Sequence, residues 1–184
     1  MNKKFILIFI FFFFTNPVNA NEDTMILKLK DGDVVIELYS ELAPNHVKRF
    51  KQLAEEKKYD GVVFHRVIDG FMAQTGDVQF GNFNSSTYDL RRAGTGGSEY
   101  PDLKAEFNDM AHERGILSMA RSSDPDSANS QFFICFDSAP HLDRQYTAFG
   151  KVIEGMEFVD LIKKGTDSSG SVLKPDRIIS LKSK

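Results

Sequence analysis

The 184-residue sequence has no tryptophan and one cysteine, Cys135. A single cysteine excludes any internal disulfide, even in an oxidising compartment. It sits in the apolar run QFFICF and reads as a buried small hydrophobe, with a reactive or intermolecular thiol as the alternative. Basic charge is not in excess: 23 Lys and Arg stand against 26 Asp and Glu, formal net charge −3. That argues against a broad nucleic-acid surface. The histidines are His46, His65, His112 and His141, and none falls in HExxH or a similar metal spacing. GTGGSEY (94–100) lacks the Gly-Lys-Ser/Thr ending of a phosphate loop, and Pro101 interrupts the chain directly after it. There is no G-x-S-x-G. DPDSANS (124–130) lacks the glycine and the terminal glutamate of a calcium loop. The usual devices for acid–base, nucleophilic and metal catalysis are therefore missing or unconvincing.

What is present begins with MNKKFILIFIFFFFTNPVNA. Lys3 and Lys4 precede an unbroken apolar run, 5–14, and Val18-Asn19-Ala20 is a small-x-small cleavage pattern. Residues 1–20 read as a secretory signal peptide. The run falls well short of the about 20 residues that span a bilayer. No later stretch reaches that length, so the cleaved product, 21–184, is expected to be exported without stable membrane association. The short form suggests a bacterial chain and a periplasmic location.

Along the rest, MILKLKDGDVVIELY (25–39) gives two alternating runs around Asp31-Gly32, a hairpin signal. APNHVKRFKQLAEEKKYDG predicts a helix over 44–57, with Pro44 in its first turn and Val47, Phe50, Leu53 and Ala54 on one face. Strands are predicted over 62–68, 71–75, 115–120, 130–136, 147–153 and 177–182, and a second helix over 155–165. Residues 76–106 are rich in Gly, Asn, Ser and charge, too long for an ordinary connection, so they are either functional or contain short strands. Many short strands with two separated helices argue for one domain built as a closed antiparallel sheet.

FHRVIDGFMAQTGD (64–77) poses a question. A guanidinium is costly to bury unpaired, yet Arg66 sits among phenylalanines, a methionine and branched aliphatics. Taken in order with GTGGSEYPDLKAEF, GILSMA, NSQFFIC and FGKVIEGMEFVD, the stretch resembles the cyclophilin family of peptidyl-prolyl cis-trans isomerases over nearly all of 24–182. The resemblance implies a mostly β fold: a closed eight-stranded antiparallel β-barrel capped by two α-helices, without metal or cofactor. It implies a proline-containing peptide or unfolded protein as partner, and a monomer is expected.

By motif, Arg66 matches the family's catalytic arginine. Phe71 and Met72 match the residues that hold the proline ring, and Gln74 matches a polar contact to substrate backbone. Ala120 matches a small groove residue, and Arg121 falls where the family offers a backbone carbonyl. Phe133 matches the aromatic pocket base and Leu142 the hydrophobic wall. Gln131 matches a polar residue behind Arg66, expected to orient the guanidinium. His141 stands where the best-known eukaryotic members have tryptophan, and Tyr146 where they have histidine; losing the indole removes a large surface and a donor, so tight cyclosporin binding is not expected. Asp69 replaces a common proline at the turn. The segment 78–94 is longer than in the shortest members and is expected to extend the groove rim.

Alternatives remain at this point. Phe71, Phe133 and Leu142 could be plain core, and Arg66 a structural ion pair. The chain could be a chaperone-like module that holds proline segments without turnover. A hydrolase centred on His65 or His141 would need a nucleophile motif that the sequence lacks.

Overall fold

Alternating hydrophobicity folds the chain into one antiparallel sheet in the computed structural model, which describes residues 23–184. The expected signal peptide, 1–20, lies outside the described residues. The strands are β1 (Thr24–Lys28), β2 (Asp33–Leu38), β3 (Arg66–Ile68), β4 (Met72–Thr75), β5 (Ile116–Met119), β6 (Phe132–Cys135), β7 (Ala148–Glu154) and β8 (Ser180–Ser183). The helices are α1 (Pro44–Glu55) and α2 (Met156–Asp160), with a 3-10 turn at Pro140–Leu142. The strand order is β3-β4-β6-β5-β7-β2-β1-β8, with every named ladder antiparallel.

The sheet is not the closed barrel that was expected. It is an open half-barrel whose two edges are β3 and β8. Between them runs irregular chain, interrupted by Gly165, Gly170 and Pro175, which cannot hold a continuous ladder. It makes only isolated bridges, Arg66 to Ser171 and Val63 to Arg177. Single bonds reinforce this seam: Val67 N–H donates to the Gly170 carbonyl at 2.7 Å and Phe64 N–H to that of Asp176 at 2.9 Å. The long strand expected over 62–68 therefore pairs as a strand only from Arg66.

The core packs on the face that carries Val67, Ala73, Leu117 and Ile134, all fully buried. Helix α1 closes it. Its expected face, Val47, Phe50, Leu53 and Ala54, is buried, and Phe50 meets Phe132 and Phe149 at ring distances of 5.0 and 5.1 Å. His46 and Arg49 are buried as well. His46 Nδ1 lies 2.7 Å from Glu106 Oε2, which ties the helix to the long loop. Burial holds His46 below the ordinary imidazole range, against the pull of Glu106. Helix α2 is shorter than expected, and Phe158 lies against the first hairpin. A Cβ on Gly32 would meet that ring at 2.4 Å, so the glycine answers to close packing as well as to the turn.

Candidate functional site

The opposite face of the same strands builds a cleft. Register places Arg66, Gln74, Phe133 and Ser118 directly abreast on β3, β4, β6 and β5. The next row on that face is Ile68, Met72 and Cys135. Side chains two apart on a strand share a face, so one stretch supplies both the cation and the apolar floor. Cys135 is fully buried, and burial pushes its thiol up to about 12, so it is a small apolar filler here.

A cleft of about 330 Å³ opens over these rows. Its lining is Arg66, Phe71, Met72, Gln74, Ala120, Arg121, Phe133, His141, Leu142 and Tyr146, which brings together every lining residue named from the sequence. Met72, Phe133 and Leu142 are buried, in a small apolar cluster separate from the main core. The Tyr146 ring stands edge-on to Phe133 at 5.9 Å. His141, exposed on the 3-10 turn, lies against Phe71 at 5.4 Å. The Arg121 guanidinium covers the Tyr146 ring at 4.4 Å and donates to the Gln145 carbonyl at 2.9 Å. Its side chain thus braces one wall.

Arg66 is half-buried and pairs with no carboxylate among the described residues, so it is not the structural ion pair that the sequence left open. Nε donates to the Ser169 carbonyl at 3.0 Å and Nη1 to Gln74 Oε1 at 3.3 Å, while Nη2 has no partner among the described residues. Gln131 does not reach the guanidinium. It accepts from Gln74 Nε2 at 3.0 Å and donates to the Gly96 carbonyl at 2.8 Å. The chain runs Arg66–Gln74–Gln131–Gly96, so any orienting effect of Gln131 passes through Gln74.

That last contact leads into the 76–106 segment, where the sequence named no site residue. A second, polar cleft of about 520 Å³ adjoins the first and shares Gln74, Ala120 and Arg121 with it. Gly94–Ser98, Asp102, Ser122, Ser127, Asn129 and Gln131 complete its lining. The loop is pinned by Asp77, fully buried, which accepts backbone N–H bonds from Gln79, Phe80, Gly94 and Gly96. Asn129 Oδ1 holds Ser98 by its backbone and hydroxyl. The available signal was the acceptor Asp77 placed before a glycine-rich loop that fails as a phosphate site. The rest of the 78–94 insertion does not extend the apolar cleft: Phe83, Tyr88 and Leu90 line a separate depression with Leu173 and Arg177.

His65 is buried, neither ring nitrogen has a partner among the described residues, and burial pushes it down to about 4. A Cβ on Gly94 would lie 2.9 Å from its Nε2. It packs behind the cleft and offers no base to it. No group of three or more His, Cys, Asp or Glu among the described residues could hold a metal.

Eight antiparallel strands with a cation-edged apolar cleft on the outer face define a fold also found in solved cyclophilins. A cyclophilin-type isomerase of Cryptosporidium parvum, solved in the presence of the dipeptide ala-pro, superposes with TM-score 0.73 at 28% identity, covering 88% of this chain and 98% of that one. In sequence, the Cyclophilin type peptidyl-prolyl cis-trans isomerase/CLD family matches residues 24–183. A probable peptidyl-prolyl cis-trans isomerase of Brucella suis is 59% identical over 159 residues, 86% of this chain and 81% of the relative. Peptidyl-prolyl cis-trans isomerase B of Bacillus subtilis is 41% identical over 152 residues, 82% of this chain and 94% of the relative. The chain belongs to the cyclophilin-type peptidyl-prolyl cis-trans isomerase family.

Proposed function

We propose that the protein rotates Xaa-Pro peptide bonds in exported proteins, with Arg66 stabilising the twisted amide. The observation that carries this reading is a half-buried guanidinium with no acidic partner among the described residues, edging an apolar cleft built on Met72, Phe133 and Leu142. Rotation of a planar amide costs about 18–20 kcal/mol, because twisting removes the delocalisation of the nitrogen lone pair. The twisted nitrogen pyramidalises and becomes a hydrogen-bond acceptor, which the planar one is not. A donor that meets it only then lowers the barrier without tightening the ground state. Arg66 has the free Nη2 for this, and Gln74 and the Ser169 carbonyl limit its swing. Permanent charge and a planar fork suit arginine better than lysine, and the apolar walls strengthen the contact. Each ~1.36 kcal/mol of selective stabilisation is about tenfold in rate. No bond forms or breaks, and no proton moves.

The proline ring would sit on Phe133 between Met72 and Leu142, and flanking substrate backbone would lie along Gln74 and Ala120. The leader read in residues 1–20 supports export, and a periplasmic site of action follows if the chain is bacterial. The test is the cis-to-trans rate of a short Xaa-Pro peptide, measured by NMR exchange with Arg66→Ala beside the unaltered protein. The reading requires acceleration by the unaltered protein and its near-abolition in a variant that keeps its fold. Equal rates would reject the assigned role of Arg66.

A further inference from the structure

Behind the cleft floor lies a buried histidine that amide rotation does not use. His112 is 1% exposed. Its Nδ1 lies 3.0 Å from Asp143 Oδ1, and its backbone N–H donates to the same oxygen at 2.8 Å. Nε2 lies 3.0 Å from Ser118 Oγ. The imidazole stacks on Phe133, with centroids 6.3 Å apart and planes inclined by 22°. Serine, histidine and carboxylate in line suggest a nucleophile, but Ser118 is fully buried and has no access to the cleft. What the ring does is join parts of the cleft. Ser118 stands opposite Phe133 across the β5–β6 ladder, and Asp143 directly follows the 3-10 turn that carries His141 and Leu142. The Ala139 N–H, at the start of that turn, donates to the His112 carbonyl at 2.7 Å.

We propose that His112, clamped by Asp143, is a positioning residue that sets the spacing between the Phe133 floor and the Leu142 wall, and so the fit of the cleft to a proline ring. The inference rests on the isomerase reading above and deepens it. His112 touches no substrate; it acts through Phe133 and, by way of Asp143, through Leu142. The tie suits a neutral ring, whose Nδ1–H donates to the carboxylate while Nε2 accepts the Ser118 hydroxyl. Burial holds His112 below the ordinary imidazole range, outweighing the pull of Asp143. The charged groups facing it are Asp143 and His141, both from the turn, and a charged His141 opposes protonation further. From β6, the nearby Cys135 thiol is neutral at working pH. In acid, protonation turns Nε2 into a donor toward Ser118 Oγ, whose hydroxyl rotates to accept it, and the charge set behind Phe133 strengthens the pull on Asp143, so the neighbouring Leu142 wall is expected to shift.

The experiment compares Asp143→Ala, Asp143→Asn and His112→Phe with the unaltered protein, using Xaa-Pro kinetics and the NMR signals of the Leu142 methyls and Phe133 ring. Asp143→Ala is expected to raise KM about 5- to 10-fold with kcat changed less than about twofold, as for a misplaced binding surface. Asp143→Asn keeps an acceptor for both His112 donors and is expected to restore KM to within about twofold. In the unaltered protein kcat/KM is expected to fall in acid as His112 takes a proton, and His112→Phe, which keeps the stack and loses the tie, is expected to lose that fall. Unmoved KM and Leu142 signals in a folded Asp143→Ala protein overturn the proposal. If that variant does not fold, the unaltered protein decides: the Leu142 methyls must shift with the titration of His112, and a flat response overturns it. If the unaltered protein shows no isomerase activity, the functional reading fails on its own, and the same methyl signals still decide the tie.

Discussion

Val67, Ala73, Ile134 and Leu117 stand abreast across β3, β4, β6 and β5, and so, one residue away, do Arg66, Gln74, Phe133 and Ser118. The Val67 row is sealed in the main core. The Arg66 row faces outward under a partial roof made by the 3-10 turn and Tyr146. Strand geometry is common to both, so the surface opposite each face decides its use. Where α1 and the far strands supply matching apolar surface, the row becomes stability. Where only a short turn leans over, space remains, and a guanidinium can stay half-solvated without a counter-ion. A one-residue slip in any of these strands would exchange the two rows.

The largest expected effect falls on the outward row. Arg66→Ala should lower kcat/KM by about 100-fold or more while the thermal midpoint stays within a few degrees, because the side chain has no ion pair to lose. Arg66→Lys should recover little, since an ammonium cannot hold both Gln74 and a substrate amide in one plane. On the inward row, Ile134→Ala should show the reverse: about 2–5 kcal/mol of lost stability by chemical denaturation, with catalysis by the folded fraction within a few-fold. A large catalytic loss there, without loss of stability, would mean that the faces are not separable.

Acid sharpens the comparison from outside both rows. Burial lowers the pKa of His46 against the pull of Glu106. Burial tends to raise Glu106, but hydrogen bonds from His46 and Asn45 hold it below the usual carboxylate range. Both groups therefore bind fewer protons folded than unfolded. Their stability is present above the ordinary values of 6.5 and 4.5 and is lost as pH falls through that window and below it. The melting midpoint should fall by about 2–4 °C per kcal/mol lost, and Glu106→Gln, which removes the pull that raises His46, should abolish the carboxylate's share of the acid slope while steepening that of His46. An unchanged midpoint between pH 7 and pH 5 would contradict the assignment for His46. The smallest effect is expected at Gln131. Because it reaches Arg66 only through Gln74, Gln131→Ala should cost about 2- to 5-fold in rate; a loss as large as that of Arg66→Ala would require direct contact.

Much of this was legible from residues alone. Period-two patterning located the strands, and the apolar face of α1 followed from Val47, Phe50, Leu53 and Ala54. The ordered motifs named the residues that the structure gathers around the apolar cleft. What escaped depends on tertiary partners. The β3–β8 seam stays open because of how 165–177 meets β3, and no local pattern records that. The polar cleft was missed because Asp77 gathers backbone N–H groups, which are alike in every sequence. That Gln131 meets Arg66 only through Gln74 is likewise not written in the motif order, which says which residues share a neighbourhood and not which atoms meet.

Strands β1 and β8 are neighbours, with Met25 opposite Ser183 and the Lys184 N–H donating to the Thr24 carbonyl at 3.0 Å. Among the described strands, the first to be made thus waits for the last. Every other segment must leave the ribosome, or a translocation pore, before that ladder can zip up, and such distant pairings are slow to form. A protein proposed to turn Xaa-Pro bonds in other chains would itself close its sheet late.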